Sequence, residues 1–161
     1  AEFSEGRFPV RVERLELACD SGGPGKRRGG LGYFKEVKVL CNCEALSNAD
    51  RSFLAPWGTN GGGAGGLYKV TVNPGRPGER EVPALSNRVA IAKGDLVRVV
   101  TTGGGGWGDP LERDPKAVEA DIRDEKVTID HALAQYGAVI DPATLRADLS
   151  ATATERQKLQ T

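Results

Sequence analysis

Residues 20–32 read Asp20-Ser21-Gly22-Gly23-Pro24-Gly25-Lys26-Arg27-Arg28-Gly29-Gly30-Leu31-Gly32, and six of these thirteen residues are glycine. Glycine adopts backbone conformations that side chains forbid, so a segment this rich in glycine keeps a single shape only where other groups pack against it. Strand-like runs of alternating apolar and polar residues flank the segment, at 8–17 and at 33–40. The segment is therefore predicted to connect two strands and to present three adjacent cations on a bendable backbone.

Two more glycine-rich segments follow along the chain, and each lies next to a tryptophan. The run 61–66 is entered through Pro56 and Trp57, and the run 103–106 is followed by Trp107. A flat aromatic ring can cover exposed backbone and fix a loop, so loop anchoring is predicted for both rings. The alternative is that one of the two rings lines a cleft that faces a substrate or a neighbouring subunit.

The hydrophobic pattern predicts five or six strands before residue 102. A period of two marks the first strand, and a change of phase within it predicts a β-bulge near Glu13 and Arg14. A turn is predicted at 73–75, and a hairpin is predicted from the β-branched runs 88–92 and 96–101.

After the third glycine-rich segment, the pattern changes to that of short helices. Asp114 is a predicted N-cap with Pro115 in the first turn, and Thr128 is predicted to cap a second helix that ends at Gly137. A third helix is predicted to start at Asp141 and its following proline.

The predicted fold class is α+β, a β-rich domain with glycine-rich loops followed by two or three short C-terminal helices. The predicted organisation is a β-rich domain over residues 1–112, a short helical segment over 113–149 packed on it, and a loose polar tail over 150–161.

The composition narrows the class of protein. Lys and Arg together number 22, as do Asp and Glu, and a net charge of zero gives no support to nucleic-acid binding. The chain has no run of the roughly 18 apolar residues that a membrane helix needs, and its acidic start lacks the apolar core of a signal peptide. Three cysteines, an odd number, favour a reducing compartment, so a cytoplasmic location is predicted.

Two motifs imitate a catalytic or a metal signature. The segment 20–24 is similar to the nucleophile segment of trypsin-like serine proteases, but the single histidine, His131, lies far downstream, whereas that family places its base upstream. A turn in which Asp20 or Ser21 bonds nearby amides is the preferred interpretation. The pair Cys41-Asn42-Cys43 lacks the spacing of a structural zinc site, so ordinary buried thiols are predicted and no metal ligand is assigned.

The first glycine-rich segment also resembles a phosphate-binding loop in part. The pattern is broken twice, because Asp20 stands where the first glycine belongs and Arg27 follows Lys26. A looser site for a substrate or another anion is predicted instead, and its candidate residues are Lys26, Arg27, Arg28, Gly29, Gly30 and Trp107. The alternatives are three solvated cations, or cations paired with carboxylates of a partner subunit. No catalytic residue is identified.

Taken in order, the motifs resemble the C-terminal part of the hydantoinase B/oxoprolinase family, which includes N-methylhydantoinases, 5-oxoprolinases, and acetone and acetophenone carboxylases. The resemblance extends from residue 8 to residue 140 or so, and it rests on the segments at 8–13, 20–25, 28–32, 56–63, 73–75, 102–110, 113–115 and 135–137.

This resemblance implies two partners: a hydantoinase A-like subunit, which binds ATP and activates a carbonyl oxygen by phosphorylation, and the N-terminal part of a hydantoinase B-like subunit, where the family has its metal ligands. ATP with Mg²⁺ and a divalent metal are thus expected on the partners, and no cofactor is expected on this chain. The expected role is that of a small subunit or C-terminal fragment of a B-type subunit, inactive alone. Its complex would hydrolyse a cyclic amide (a hydantoin, oxoproline or a lactam) or carboxylate a ketone. The alternative is a non-catalytic module that holds the larger subunits together.

Overall fold

The computed structural model describes residues 1–160, and the α+β class predicted from the sequence is confirmed, with three helices after the last strand. No helix among the described residues is both long and apolar enough to cross a bilayer. In chain order the elements are α1 (Glu2–Arg7), β1 (Val10–Leu17), β2 (Tyr33–Val39), β3 (Cys43–Asn48), β4 (Lys69–Val72), β5 (Arg80–Val82), β6 (Leu85–Ile91), β7 (Leu96–Val100), α2 (Pro115–Arg123), α3 (Ile129–Tyr136) and α4 (Leu149–Leu159).

Contacts between residues divide the chain into two interleaved units. The first contains all seven strands and consists of Ala1–Leu17, Tyr33–Ala55 and Leu67–Thr102. The second consists of Ala18–Gly32, Pro56–Gly66 and the chain from Gly103 onward. The sequence predicted consecutive segments that divide after residue 112. The units interleave instead because the three glycine-rich segments, far apart in the chain, pack with one another.

The first unit is built on a five-stranded antiparallel sheet in the order β1-β2-β7-β4-β5. Valines opposite one another on neighbouring strands, such as Val37 and Val97, give this sheet an apolar face. The strands β3 and β6 form a separate two-stranded sheet. The buried core of the unit combines residues of both sheets: Val39, Val70, Val72, Val82 and Ile91.

The prediction of a hairpin from the runs 88–92 and 96–101 is wrong. The strands β6 and β7 follow one another in the chain, but β6 pairs with β3, and β7 lies between β2 and β4. Asp95 accepts a hydrogen bond from the Ala92 amide at 2.9 Å in the turn that carries the chain from one sheet to the other. The residues of β3 have an irregular pattern that predicted no strand, so the sequence did not identify the partner of β6.

The predicted starts of α2 and α3 and the predicted end of α3 are confirmed. The side chain of Asp114 accepts the Lys116 amide, and that of Thr128 accepts the His131 amide. Gly137 ends α3 with a left-handed φ of 56°. These helices and the segment after them enclose a second apolar core, formed by Val118, Ile122, Val127, Ala132, Tyr136, Ala138 and Ile140.

The end of the chain differs from the loose tail and from the helix start predicted at Asp141. Asp141 closes a turn, and the third helix begins later, at Leu149, with Asp148 as its N-cap. Thr152 is buried and accepts the Val139 amide at 3.0 Å. Polar contacts of this kind attach α4 to its unit. The polar sequence of this helix does not indicate which distant groups it will contact. Residue 161, also part of the predicted tail, lies outside the described residues.

Candidate functional site

The three glycine-rich segments form one hydrogen-bonded arrangement within the second unit. We call it the glycine-loop bundle and name its parts the first loop (residues 18–32), the second loop (56–66) and the third loop (103–108). Each loop bonds to the other two through its backbone. These loops carry all of the anion-site residues predicted from the sequence, so the bundle is the candidate functional site.

Backbone amides supply the bonds that join the loops. Gly23 donates to the carbonyl of Gly104 at 2.8 Å, which joins the first loop to the third. Gly63 donates to the carbonyl of Pro24 at 2.7 Å, and Gly106 donates to that of Gly63 at 2.9 Å. The three loops therefore pair peptide groups with one another without a regular sheet or helix.

The close approach of the loops explains why so many of these positions are glycine. A methyl group on Gly103 or Gly105 would lie well inside 3.0 Å of the backbone of Ser21 or Trp57, closer than real Cβ atoms come. Neither of these two glycines has a positive φ. Glycine is thus required there by space and not by an unusual backbone conformation.

Ser21 closes the first loop in the way the predicted turn requires, whereas Asp20 joins this loop to the start of α3. The Asp20 carboxylate accepts the amide and the hydroxyl of Thr128 at 2.8 and 2.7 Å. The Ser21 hydroxyl is buried, donates to the carbonyl of Ala18 and accepts the amide of Gly32. Ser21 therefore has a structural role and not that of a protease nucleophile, because its hydroxyl is used in holding the loop.

The three adjacent cations of the first loop have different environments. Lys26 is exposed and forms an ion pair with Glu112 at 2.9 Å. Arg27 is exposed, with its guanidinium carbon 5.8 Å from the centre of the Trp107 ring, and no carboxylate among the described residues lies within ion-pair distance of it. Arg28 turns inward. Lys26 and Arg27 thus remain at the surface, and Arg28 does not.

Arg28 belongs to a buried network centred on Asp121. The Asp121 carboxylate lies 3.1 Å from Arg28 and 2.7 Å from Arg113, and all three side chains are 14% exposed or less. Arg28 also donates to the carbonyl of Gly29. The network joins the first loop to α2 and to the segment that precedes this helix. Burial raises the pKa of Tyr136, whose ring centre lies 6.0 Å from the Arg113 guanidinium.

The sequence reasoning missed Asp121 and Arg113 as partners of the first loop. A signal was present in the pattern of α2, where Asp121 lies next to Ile122 and three residues after Val118. Both of these apolar residues are buried. A carboxylate on the apolar face of an amphipathic helix needs a cationic partner, because an unpaired buried charge is costly.

Trp107 joins the first and second loops through its backbone. Trp107 exchanges two backbone hydrogen bonds with Arg27, each of 2.9 Å, and bridges to Thr59 in the second loop. Trp107 is 45% exposed, and Trp57 is 67% exposed. Trp107 therefore leaves aromatic surface beside the exposed Arg27, and loop anchoring by the two rings stays a prediction.

The cysteines are not the buried thiols that the sequence predicted. Cys19 and Cys43 are exposed, and Cys41 is half-buried. Partial desolvation raises the pKa of Cys19, and the neighbouring Asp20 adds to this shift. Among residues 1–160, the structure has no group of three or more His, Cys, Asp or Glu side chains arranged to hold a metal ion.

Comparisons with known proteins connect this architecture to a family. A family model described as hydantoinase B/oxoprolinase matches residues 1–110. The B-type subunit of a putative D-/L-hydantoinase from Pseudomonas sp. (strain NS671) is 37% identical over 141 residues, covering 86% of this chain and 24% of that protein. The caprolactamase β-subunit from Pseudomonas jessenii is 36% identical over 148 residues, covering 87% of this chain and 25% of that protein. The chain thus spans about a quarter of the length of these curated relatives.

Solved structures share the fold over almost the whole chain. The ATP-dependent caprolactamase from Pseudomonas jessenii is 31% identical with a TM-score of 0.82, covering 97% of this chain and 28% of that chain. Nucleotide-free acetone carboxylase has the same TM-score, 0.82, at 24% identity, and covers 99% of this chain and 26% of that chain; this likeness concerns the fold alone. Because the family model matches well over half of its residues, the chain belongs to the hydantoinase B/oxoprolinase family.

Proposed function

We propose that this chain is a small subunit or C-terminal fragment of a hydantoinase B-type subunit, and that it acts within an ATP-dependent multi-subunit enzyme that hydrolyses a cyclic amide. The observation that carries the proposal is the likeness to the ATP-dependent caprolactamase, at 31% identity over 97% of this chain. The partners are a hydantoinase A-like subunit and the remaining part of a B-type subunit. In this proposal the complex is cytoplasmic, and ATP, Mg²⁺ and a divalent metal are bound by the partners.

The activities after which the relatives are named favour cyclic amide hydrolysis over ketone carboxylation. Hydantoinase and caprolactamase subunits are 37% and 36% identical to this chain, and a 5-oxoprolinase from Dictyostelium discoideum is 33% identical over 109 residues. Hydantoins, caprolactam and 5-oxoproline are all cyclic amides. Carboxylation of a ketone remains the alternative reaction, as the family resemblance of the sequence implies.

Within this enzyme, the bundle would present surface cations to an anionic group. A phosphorylated carbonyl carries negative charge, and an arginine guanidinium forms charge-assisted hydrogen bonds to phosphate. Arg27 is the best placed of the predicted residues, because it is exposed, lies beside Trp107 and lacks a carboxylate partner among the described residues. Arg28 would support the site indirectly, since Asp121 and the carbonyl of Gly29 already hold it.

A non-catalytic assembly module is the second candidate. It is favoured by the ion pairs of Lys26 with Glu112 and of Arg28 with Asp121, which give two of the three cations a structural role within the chain. In this case the bundle would hold the larger subunits in place and would not contact the reacting groups.

The test is a chimera of the caprolactamase β-subunit from Pseudomonas jessenii in which this chain replaces the matching quarter. The chimera is purified with the partner subunit and is assayed with ATP on caprolactam, a hydantoin, 5-oxoproline and acetone, with and without bicarbonate. Assembly with ATP-dependent ring opening supports the proposal. Failure to assemble, in a chimera whose circular dichroism is that of a folded protein, would contradict it.

Two variants of the same chimera separate the candidate functions. If Arg27 contacts an anionic intermediate, Arg27→Ala lowers turnover at least about tenfold with assembly unchanged, as for the loss of a charge-assisted hydrogen bond. The control is Arg88→Ala, which removes another exposed cation, one that pairs with Glu44, from β6. Full turnover in both Arg27→Ala and Arg28→Ala would remove the anion site and leave the assembly module.

A further inference from the structure

The apolar face of the five-stranded sheet is covered over only part of its width. Val39 lies on this face within the buried core, and Val97, the partner of Val37, packs against that core. The face continues with Leu15 and Leu17 of β1 and with Tyr33 at the start of β2, which are 58%, 61% and 47% exposed. These three side chains, with Glu16 and Lys35, line an open cavity of about 460 Å³. We call Leu15, Leu17 and Tyr33 the apolar edge.

The bulge in β1 is what places the two leucines on this face. Val12 lies opposite Val37, and the register then shifts so that Arg14 lies opposite Glu36. Without the extra residue, alternation would turn Arg14 toward the apolar face and Leu15 away from it. The strand therefore preserves its apolar phase across the bulge, on a surface that the described residues leave open. Because the apolar pattern continues across the bulge on an exposed surface, we expect this face to be covered in the assembled complex.

The outer edge of β1 is protected along its first half only. The strand is the last of the sheet, and its one neighbour is β2. The Glu5 carboxylate of α1 accepts the amide of Val12 at 2.7 Å. Beyond this point, at residues 13–17, no second strand pairs with β1 in the part of the chain that the structure describes. An edge strand with unpaired peptide groups and apolar side chains is a template for an added strand.

We infer that a β-strand from the rest of a hydantoinase B-type subunit adds to β1 at residues 13–17 and that its apolar side chains cover the apolar edge. This inference rests on the proposed function and names the surface through which the chain joins its subunit. The occupant follows from length, because the relatives are about four times as long as the region that they share with this chain. The matched family region, residues 1–110, contains the apolar edge.

The experiment measures association in trans. The caprolactamase β-subunit from Pseudomonas jessenii, without its matching quarter, is co-expressed with the full tagged chain, and its capture and the hydrogen exchange of residues 13–17 are measured. The double variant Leu15→Lys/Leu17→Lys is expected to weaken association roughly 50-fold, since burial of each leucine is lost. The matched control, Leu46→Lys/Leu85→Lys, changes two leucines of the two-stranded sheet that are 69% and 61% exposed, and should stay within about twofold of the unchanged chain.

The outcomes distinguish this inference from the proposed function. Capture that the double variant leaves unchanged, with amides 13–17 exchanging as in the free chain, overturns the inference and leaves the proposed function intact. Self-association of the free chain through the same leucines, not displaced by the caprolactamase piece, also overturns it, because a second copy is then the occupant. Where the two pieces associate only as one polypeptide, the same variants and exchange measurements in the chimera decide. A chimera that does not assemble overturns the proposed function itself.

Discussion

The five-stranded sheet is stabilised by the packing of buried side chains. The glycine-loop bundle is stabilised by direct backbone hydrogen bonds, which form because glycine has no side chain to keep the loops apart. The sheet buries valines such as Val72, which is 0% exposed, between its strands and the two-stranded sheet. In the bundle, backbone amides and carbonyls of three distant segments bond directly, and a Cβ at positions such as Gly103 would overlap a neighbouring loop. The comparison teaches that alanine is too small for one region and too large for the other.

The largest effect is expected from adding a methyl group inside the bundle. Gly103→Ala forces a Cβ into the backbone of Ser21, and we expect a loss of at least about 3 kcal/mol in the free energy of unfolding. Urea unfolding followed by tryptophan fluorescence measures it, because Trp57 and Trp107 both lie in the bundle. The matched control is Gly30→Ala, in open space and without a positive φ, which should change stability by less than about 0.5 kcal/mol. Equal effects of the two variants would break the comparison.

The next effect concerns the ion network that joins the first loop to α2. Asp121→Ala leaves Arg28 and Arg113 without their carboxylate at 14% and 13% exposure, and we expect a loss of about 3 kcal/mol in the free energy of unfolding. The control, Glu112→Ala, removes the carboxylate of the exposed Lys26 pair and should cost less than about 0.5 kcal/mol. If both carboxylates cost the same in urea unfolding, burial does not govern the strength of these pairs.

In the sheet, the damaging change is the removal of methyl groups. Val72→Ala empties part of a fully buried site and should lower the free energy of unfolding by about 2 kcal/mol. Leu46→Ala, at a leucine that is 69% exposed, is the control and should cost well under about 1 kcal/mol. Urea unfolding followed by circular dichroism measures both. A fully tolerated Val72→Ala would show that the sheet, like the bundle, depends on its backbone and not on side-chain burial.

The smallest effect is a pH dependence in the turn between β6 and β7. A hydrogen bond from the Asn73 side chain, together with the Ala92 amide, lowers the pKa of Asp95 below its usual range. Because the folded pKa is the lower one, the stabilisation is present above the unfolded pKa of about 3.9 and is lost as the pH falls through the folded pKa.

Asp95→Asn should therefore flatten the acid side of the stability profile, measured as the urea midpoint between about pH 2 and pH 6. A carbon-detected NMR titration reports the pKa of Asp95 directly. The control is Asp50→Asn, at an exposed carboxylate that accepts no side-chain hydrogen bond among the described residues. A profile as steep in Asp95→Asn as in the unchanged chain would contradict the assignment.

Much of the local structure could be predicted because it depends on neighbours in the chain. The bulge at Glu13, the cap of α2 at Asp114 and the end of α3 at Gly137 each follow from a few consecutive residues. The pairing of β6 with β3 could not be predicted in this way, since the choice of partner depends on which apolar faces meet in three dimensions. The same holds for α4, whose attachment depends on the distant amide of Val139.

The candidate site shows the same division. Its glycines, cations and tryptophans stand out in the sequence, and the order of these motifs led to the correct family. That Arg28 turns inward to Asp121 while Arg27 stays at the surface depends on a residue 93 positions away. The anion-binding role of Lys26, Arg27, Arg28, Gly29, Gly30 and Trp107 stays a prediction.

By itself, the sequence determined the family, the α+β class and the positions of the glycine-rich segments. The fold class follows from short-range periodicity, which every segment carries with it, and the family follows from the resemblance that the order of the motifs shows. Only the tertiary structure decided which loops touch, which charges become buried and which apolar residues are left uncovered at the edge of the sheet. Those outcomes depend on groups far apart in the chain, and their energies arise only when folding brings the groups together.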